Sequence, residues 1–242
     1  EKIAQRERAP FYIIGKVTGD HRFTFYDPDK KVKPIDLELA DFFGNPPRTI
    51  MKDQTLIPAF TDPEYDKTRF DKYLVELLQL ESVACKDWLT NKVDRSVTGK
   101  IAKQQCAGNL QLPLNNLGAL ALDYHGIKGY ATSIGHAPVP GLIDPAAGSV
   151  LSIAEALTNI IWAPLTHNLE GVSLSANWLW PSKNEGEDSR LYCAVEAASD
   201  FAVSLGINIP TGKDSLSMTQ KYEEEMVYAP GTVIISAAAE VD

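Results

Sequence analysis

Apolar residues recur every three or four positions through Ser149-Val-Leu-Ser-Ile-Ala-Glu-Ala-Leu-Thr-Asn-Ile160, with Val150, Leu151, Ile153, Ala154, Leu157, Ile160 and Ile161 forming one stripe. That spacing predicts a helix with a single buried face. Phe70, Tyr73, Leu74, Leu77 and Leu78 predict a second helix over 70–80. A third is predicted over 189–205, ended by Gly206 in the position after the last turn where a left-handed residue is needed. Strand patterns alternate with these. Phe11–Ile14 and Arg22–Tyr26 predict a strand pair about the turn Thr18-Gly-Asp20. Two strands alone are marginal in water, so this pair requires a sheet to join. Residues 112–124 and 171–178 also read as strands, and the continuously apolar run Thr232–Ala239 predicts a strand buried on both faces. Between Asp27 and Asp66, Pro28, Pro34, Pro46, Pro47, Pro58 and Pro63 exclude long regular elements. The stretch is therefore a linker, anchored to a surface through Leu37, Leu39, Phe42 and Phe43.

The alternation of helix and strand from Lys67 onward sets the fold class: α/β (α+β), a mixed sheet packed by helices, preceded by a hairpin and a linker. At 242 residues the chain can hold one large domain, or one domain with an appended piece. Its net charge of −9 argues against nucleic acid as partner, since phosphate backbones require clustered Lys and Arg. An acidic protein that binds polyphosphates needs a metal between the two. Cys85, Cys106 and Cys193 are odd in number and widely spaced, which gives no metal motif or disulfide framework and points to a reducing, cytoplasmic compartment. No segment has the length of a membrane span. The chain opens on charged residues without Met, as an excised piece of something longer would.

Glu155 and Asn159 are the strongest candidate for chemistry. Residues at i and i+4 share a helix face. A carboxylate and an amide oxygen on one rigid turn suit Mg²⁺, which takes few protein ligands and completes its shell with water and phosphate oxygens. The same pattern also fits an amphipathic helix with two polar residues on its solvated side. Lys213, Asp214 and Ser215, in Gly212-Lys-Asp-Ser215, form a second candidate, a phosphate-holding loop or a polar turn. It is not a P-loop, because no glycine stands five residues before Gly212. Arg95, in Asp94-Arg-Ser-Val-Thr-Gly99, is a weaker phosphate candidate that a solvated loop explains equally. Lys86 alone reads as a surface lysine, and capping is the cheaper account of Asp144 and Ser149.

Six segments keep their order and spacing along nearly the whole chain: Arg6-Glu-Arg-Ala-Pro10, Asp94-Arg-Ser-Val-Thr-Gly99, Gly148–Asn159, Leu174-Ser-Ala-Asn-Trp178, Gly186-Glu-Asp188 and Gly212-Lys-Asp-Ser-Leu-Ser-Met218. Together they resemble the phosphoribosylformylglycinamidine synthase family in its long single-chain form. The resemblance implies an ATP-dependent ligase of purine synthesis that converts formylglycinamide ribonucleotide to the amidine with glutamine-derived ammonia. It divides the chain into the tail of a preceding domain (1–43), a linker (44–66) and a second domain resembling the N-terminal part of aminoimidazole ribonucleotide synthetase (67–242). That domain holds an auxiliary ADP or ATP with Mg²⁺ in the family. By resemblance, Glu155 and Asn159 fall on Mg²⁺ ligands and Lys86 on a lysine near the nucleotide. Asn115 and Asn116 fall where relatives commonly carry Ala-Asp, Asn115 on the nucleotide side and Asn116 on the metal-holding aspartate. An amide at 116 keeps an oxygen donor but removes a charge. The glutaminase residues are outside this chain, so no catalytic residue is expected in it. Its partners are expected to be nucleotide, the parent's other domains including the glutaminase, and a second copy of itself as a homodimer, with no nucleic acid and no membrane. Two alternatives stand beside this reading: another ATP-dependent member of the superfamily, such as aminoimidazole ribonucleotide synthetase or selenophosphate synthetase, and a scaffold whose site is empty.

Overall fold

The computed structural model describes residues 1–44, 47, 48, 50–57, 59–86, 99–104, 106–113 and 115–242. It divides into two units, Glu1–Ile50 and Met51–Asp242. In the first, a short helix α1 (Lys2–Arg6) precedes an antiparallel hairpin of β1 (Arg22–Asp27) and β2 (Val32–Glu38), followed by α2 (Leu39–Phe43). The hairpin forms one loop later than the pattern predicts. Residues 11–14 are exposed and pair with no strand among the described residues, and the strand paired with β1 comes from inside the proline-rich stretch. The cause is the turn at Asp27, whose carboxylate accepts from the backbone N–H groups of Asp29 and Lys30 and so reverses the chain. Arg22 then ties the strands together, its guanidinium 2.8 Å from the Asp36 carboxylate, and Phe23 meets Phe42 edge to face at 5.6 Å. Pro34 is tolerated because a two-stranded ribbon is all edge.

In the second unit, helix α3 (Phe70–Gln79) matches the predicted span and keeps its apolar face exposed. The main sheet is built from β3 (Lys100–Lys103), β6 (Leu117–Ala121), β7 (Gly129–His136), β8 (Ser173–Leu179), β9 (Asn208–Ser215) and β12 (Thr232–Val241). Two-residue strands β4 (Cys106–Ala107) and β5 (Leu112–Pro113) pair with each other, as do β10 (Thr219–Tyr222) and β11 (Glu225–Tyr228). The six-stranded order is β3-β6-β7-β12-β8-β9, antiparallel except for the parallel pair β8–β9. Helices α4 (Pro138–Ile143), α5 (Pro145–Ile160) and α6 (Glu187–Leu205) follow β7 and β8. The fold class expected from the pattern therefore holds: a mixed sheet packed by helices.

The core lies between the sheet and α5. Ala131, Ile153, Ala156, Ile160, Leu174, Val233, Ile235 and Ala237 are all buried there. Strands β6, β7, β8 and β12 bury alternate residues, so Thr232–Ala239 is covered on one face and not on both as its composition predicts. The apparent two-sided pattern arises from Ile234 and Ala238, which lie on the uncovered face. The predicted long strand over 112–124 is two strands, and Gly212-Lys-Asp-Ser215 is the end of β9 rather than a loop. α5 comes so close to β7 that a Cβ at Gly135 would collide with the Ser152 carbonyl and the Ala156 nitrogen. Ser149 is not a cap. Its hydroxyl donates to the Ala194 carbonyl at 2.8 Å and joins α5 to α6.

Candidate metal centre

Helix α5 starts where the sequence allows it to. Asp144 caps it, accepting from Ala146 N–H at 2.9 Å and Ala147 N–H at 3.1 Å, and Pro145 fills the first turn. Three turns on, the helix passes the end of β7. The β6–β7 pairing begins at Leu117 opposite Ser133. On that side no strand among the described residues pairs with the backbone of Ile134 and His136, and two side chains of α5 bond to it. Glu155 Oε2 accepts from His136 N–H at 2.7 Å, and Asn159 Nδ2 donates to the Ile134 carbonyl at 3.1 Å.

These two bonds orient the pair. Because Ile134 offers an acceptor, the Asn159 amide must present its nitrogen there, which fixes Oδ1 as the outward atom. Glu155 is anchored through one oxygen. Among the described residues, Glu155 Oε1 and Asn159 Oδ1 make no hydrogen bond. Asn116 is exposed and directly precedes Leu117, so extending the β6–β7 register places it opposite Ile134, whose carbonyl holds Asn159. The donor set that the geometry brings together is one carboxylate and one amide oxygen beside a strand end, with Asn116 near them only by register. Hard, mostly neutral oxygens fit a divalent ion that keeps part of its shell for water or phosphate. Such an ion would be held by Glu155 and Asn159 and would supply positive charge to neutralise a polyphosphate. No three His, Cys, Asp or Glu gather in a metal-sized group among the described residues.

The other predicted residues lie elsewhere. Asn115 is half-buried, its Nδ2 donating to the Gln104 carbonyl at 2.6 Å, so the amide supports the loop before β6. Lys86 Nζ donates to the Ala84 carbonyl at 3.0 Å. Arg95 lies outside the described residues. Lys213 and Ser215 are joined at 2.9 Å on β9, with Asp214 between them on the other face. One cross-strand row nevertheless runs from Lys213 to His136, beside Glu155 and Asn159. His136 is opposite Ile234, Ile234 opposite Asn177, and Asn177 opposite Lys213. Three strand spacings separate His136 from Lys213, roughly 14 Å. In the sequence His136 is one of four histidines, with His21, His125 and His167, whose spacing suggests neither a metal site nor a catalytic pair. A single histidine in a segment without hydrophobic periodicity gives no signal, and only the register brings it to Glu155.

This defines a class: an α+β domain with a six-stranded mixed sheet, helices on one face, and a helix-borne oxygen pair at the end of a central strand. The chain belongs to the FGAR-AT PurM_N-like domain family, whose model matches residues 85–240. It is 39% identical to the phosphoribosylformylglycinamidine synthase of Dictyostelium discoideum, over all of this chain and 19% of that protein. It is also 39% identical to the human protein of that name, over 98% of this chain and 19% of the relative. The Saccharomyces cerevisiae relative is 38% identical over 100% of this chain and 18% of its own length. The chain thus spans about a fifth of the length of the curated relatives it matches. Among solved structures, Thermotoga maritima PurL complexed with ATP superposes with a TM-score of 0.55 at 13% identity, over 92% of this chain and 32% of that one. PurLQS from the same organism gives 0.55 at 14% identity, over 88% and 31%. These likenesses establish the fold.

Proposed function

We propose that the chain is the part of a phosphoribosylformylglycinamidine synthase that holds an auxiliary nucleotide, ADP or ATP, with Mg²⁺, and that supplies a sheet face to the core of the parent enzyme. The parent is an ATP-dependent ligase of purine synthesis with glutamine as amide donor, working in the cytoplasm. Its catalytic groups and glutaminase lie in its other domains. In this reading residues 1–43 end the preceding domain, 44–66 link, and 67–242 form the nucleotide domain. Support comes from the name shared by the curated relatives and from the PurL structure that carries ATP.

The observation that carries the site is the anchoring of Glu155 and Asn159 to the end of β7, which leaves one oxygen of each outward and fixed. A pair held in this way loses little side-chain freedom on binding an ion. Lys86 and Asn115 are assigned to the nucleotide, with Arg95, Lys213, Asp214 and Ser215 as further phosphate contacts. Calorimetric titration with ADP, in Mg²⁺ and in EDTA, tests the reading. Binding that requires the metal and weakens at least about tenfold in Glu155→Gln is expected. Equal binding by both proteins overturns it. The scaffold alternative, favoured by the missing charge at Asn116, predicts no binding in either condition.

The open sheet face is the second part of the proposal. Leu120, Tyr130 and Ile134 lie uncovered on the side away from α5, each about half exposed. A homologous sheet is the natural cover for it: in the parent, that of a related domain, and in the excised chain, a second copy in a symmetric homodimer.

A further inference from the structure

Arg190 is nearly buried, its side chain 12% exposed, and neither the metal pair nor the nucleotide contacts assigned above use it. Its guanidinium leaves α6 and reaches the end of α4, where Nη2 donates to the Gly141 carbonyl at 2.6 Å and to the Leu142 carbonyl at 3.1 Å. Glu187, one turn earlier on α6, steadies the group with Oε1 3.5 Å from Nε. Helix α4 needs such a hold. It has six residues, and Pro138 and Pro140 bring no N–H to it, so its own backbone bonds cannot sustain it. The last carbonyls of a helix have no partner within it, and the two hydrogens of one guanidinium nitrogen satisfy two of them at once.

What α4 continues gives this contact its consequence. His136 ends β7, and α4 begins two residues later at Pro138. Gly141 N–H returns to the Ala137 carbonyl at 3.1 Å, which ties the body of α4 to the end of the strand. Both lie hard against the first turn of α5: a Cβ at Gly148 would stand 2.5 Å from the Gly141 Cα and 3.3 Å from the Ala137 carbonyl oxygen. The same strand end carries both anchors of the metal pair, the His136 N–H that holds Glu155 and the Ile134 carbonyl that holds Asn159. Groups that orient a metal's ligands without touching the ion are worth about 10–100-fold in its affinity. We infer that Arg190 is a positioning residue for the metal pair: by fixing the end of α4 from α6, it holds the end of β7 where His136 and Ile134 orient Glu155 and Asn159. The inference rests on the metal reading of that pair and adds the residue that sets its geometry from a helix away.

Arg190→Gln removes the guanidinium and keeps a polar side chain. Two quantities are measured on the whole chain at a temperature where every variant is folded: ADP affinity by calorimetry, with Mg²⁺ and with EDTA, and amide hydrogen exchange by NMR. Expected are about tenfold weaker metal-dependent ADP binding and about tenfold faster exchange at the His136 N–H, with Ile235 in the middle of the sheet unchanged. Ser149→Ala is the control for a merely structural role. It cuts the other tie from α6, the 2.8 Å bond from Ser149 to the Ala194 carbonyl, and should lower the melting temperature while leaving His136 exchange and ADP affinity as in wild type. Arg190→Lys keeps the charge on a different donor geometry; it should lie between wild type and Arg190→Gln, and it stands in if Arg190→Gln does not fold. Unchanged His136 exchange in the Arg190 variants, or an acceleration shared by Ile235 or by Ser149→Ala, overturns the inference. The two levels fail differently. A wild type without metal-dependent ADP binding overturns the metal reading and the inference with it, whereas a wild type that binds no better than Arg190→Gln overturns only the role of Arg190.

Discussion

Glu155 and Asn159 each do two things, and the two can be separated by substitution. Each ties α5 to the free end of β7 through one atom and presents an oxygen with the other. Glu155→Gln keeps the shape and one acceptor but removes the charge. In the intact enzyme it should reduce copurifying nucleotide and remove the stabilisation that ligand gives, about 2.7 kcal/mol at a hundredfold excess over Kd. An unchanged melting temperature with unchanged bound ADP would end the assignment. Asn116→Asp runs the other way: a second carboxylate opposite Ile134 should tighten Mg²⁺ binding in calorimetry. Equal or weaker binding would mean that position 116 does not face the ion. At this scale the pair at 155 and 159 was legible, because helical spacing alone puts i and i+4 together. Their anchors were not. They are backbone atoms of a strand 19 and 25 residues away, and no side-chain pattern announces them.

Strand β7 shows why one element could be missed while its neighbours were read. Its buried positions are Gly129, Ala131, Ser133 and Gly135, and its exposed ones include Tyr130 and Ile134. The hydrophobic alternation is inverted, because α5 packs too closely on the strand to admit larger inward side chains. Gly135→Ala should accordingly cost about 1–3 kcal/mol as backbone shifts to admit the methyl. Urea unfolding with a lowered midpoint and unchanged slope is the expected result. Helix α6 depends on a different distant contact. Gly186 gives its start no side-chain cap, and Asp53 supplies one from far upstream, accepting from Gly186 N–H at 2.9 Å and Ser189 N–H at 3.1 Å. Those N–H groups hold the Asp53 carboxyl below its ordinary value of 3.8. The contact therefore stabilises the fold fully above that value and is lost as pH falls through the depressed one. Asp53→Asn should melt lower than wild type at neutral pH, with the gap closing on acidification below the ordinary carboxylate range. A gap that persists in acid would place the effect in packing rather than charge. The linker reading of this stretch followed from its prolines; that Lys52–Leu56 grips α6 did not, because an Asp paired with a helix start more than 130 residues on leaves no local trace.

On the scale of the whole molecule, the asymmetry of the main sheet carries the argument. One face is closed by α5 and α6 around a core of small and branched apolar residues, while the other keeps Leu120, Tyr130 and Ile134 in water. Along β8 and β9 that face turns polar, with Ser175, Asn177, Thr211, Lys213 and Ser215, and Asn177 Oδ1 is buried with no hydrogen-bond partner among the described residues. An exposed apolar patch of this kind beside a polar strip has the make-up of a docking surface. If a second copy is the cover, two-fold pairing buries the same patch on both chains. Light scattering of the protein at tens of micromolar should then give a dimer. Tyr130→Glu, which places a charge in the middle of the apolar half without touching α5, should return it to monomer with the melting temperature of the isolated fold. A wild-type protein that stays monomeric without aggregating would show that the open face waits only for a sheet from elsewhere in the parent enzyme, and would defeat self-pairing.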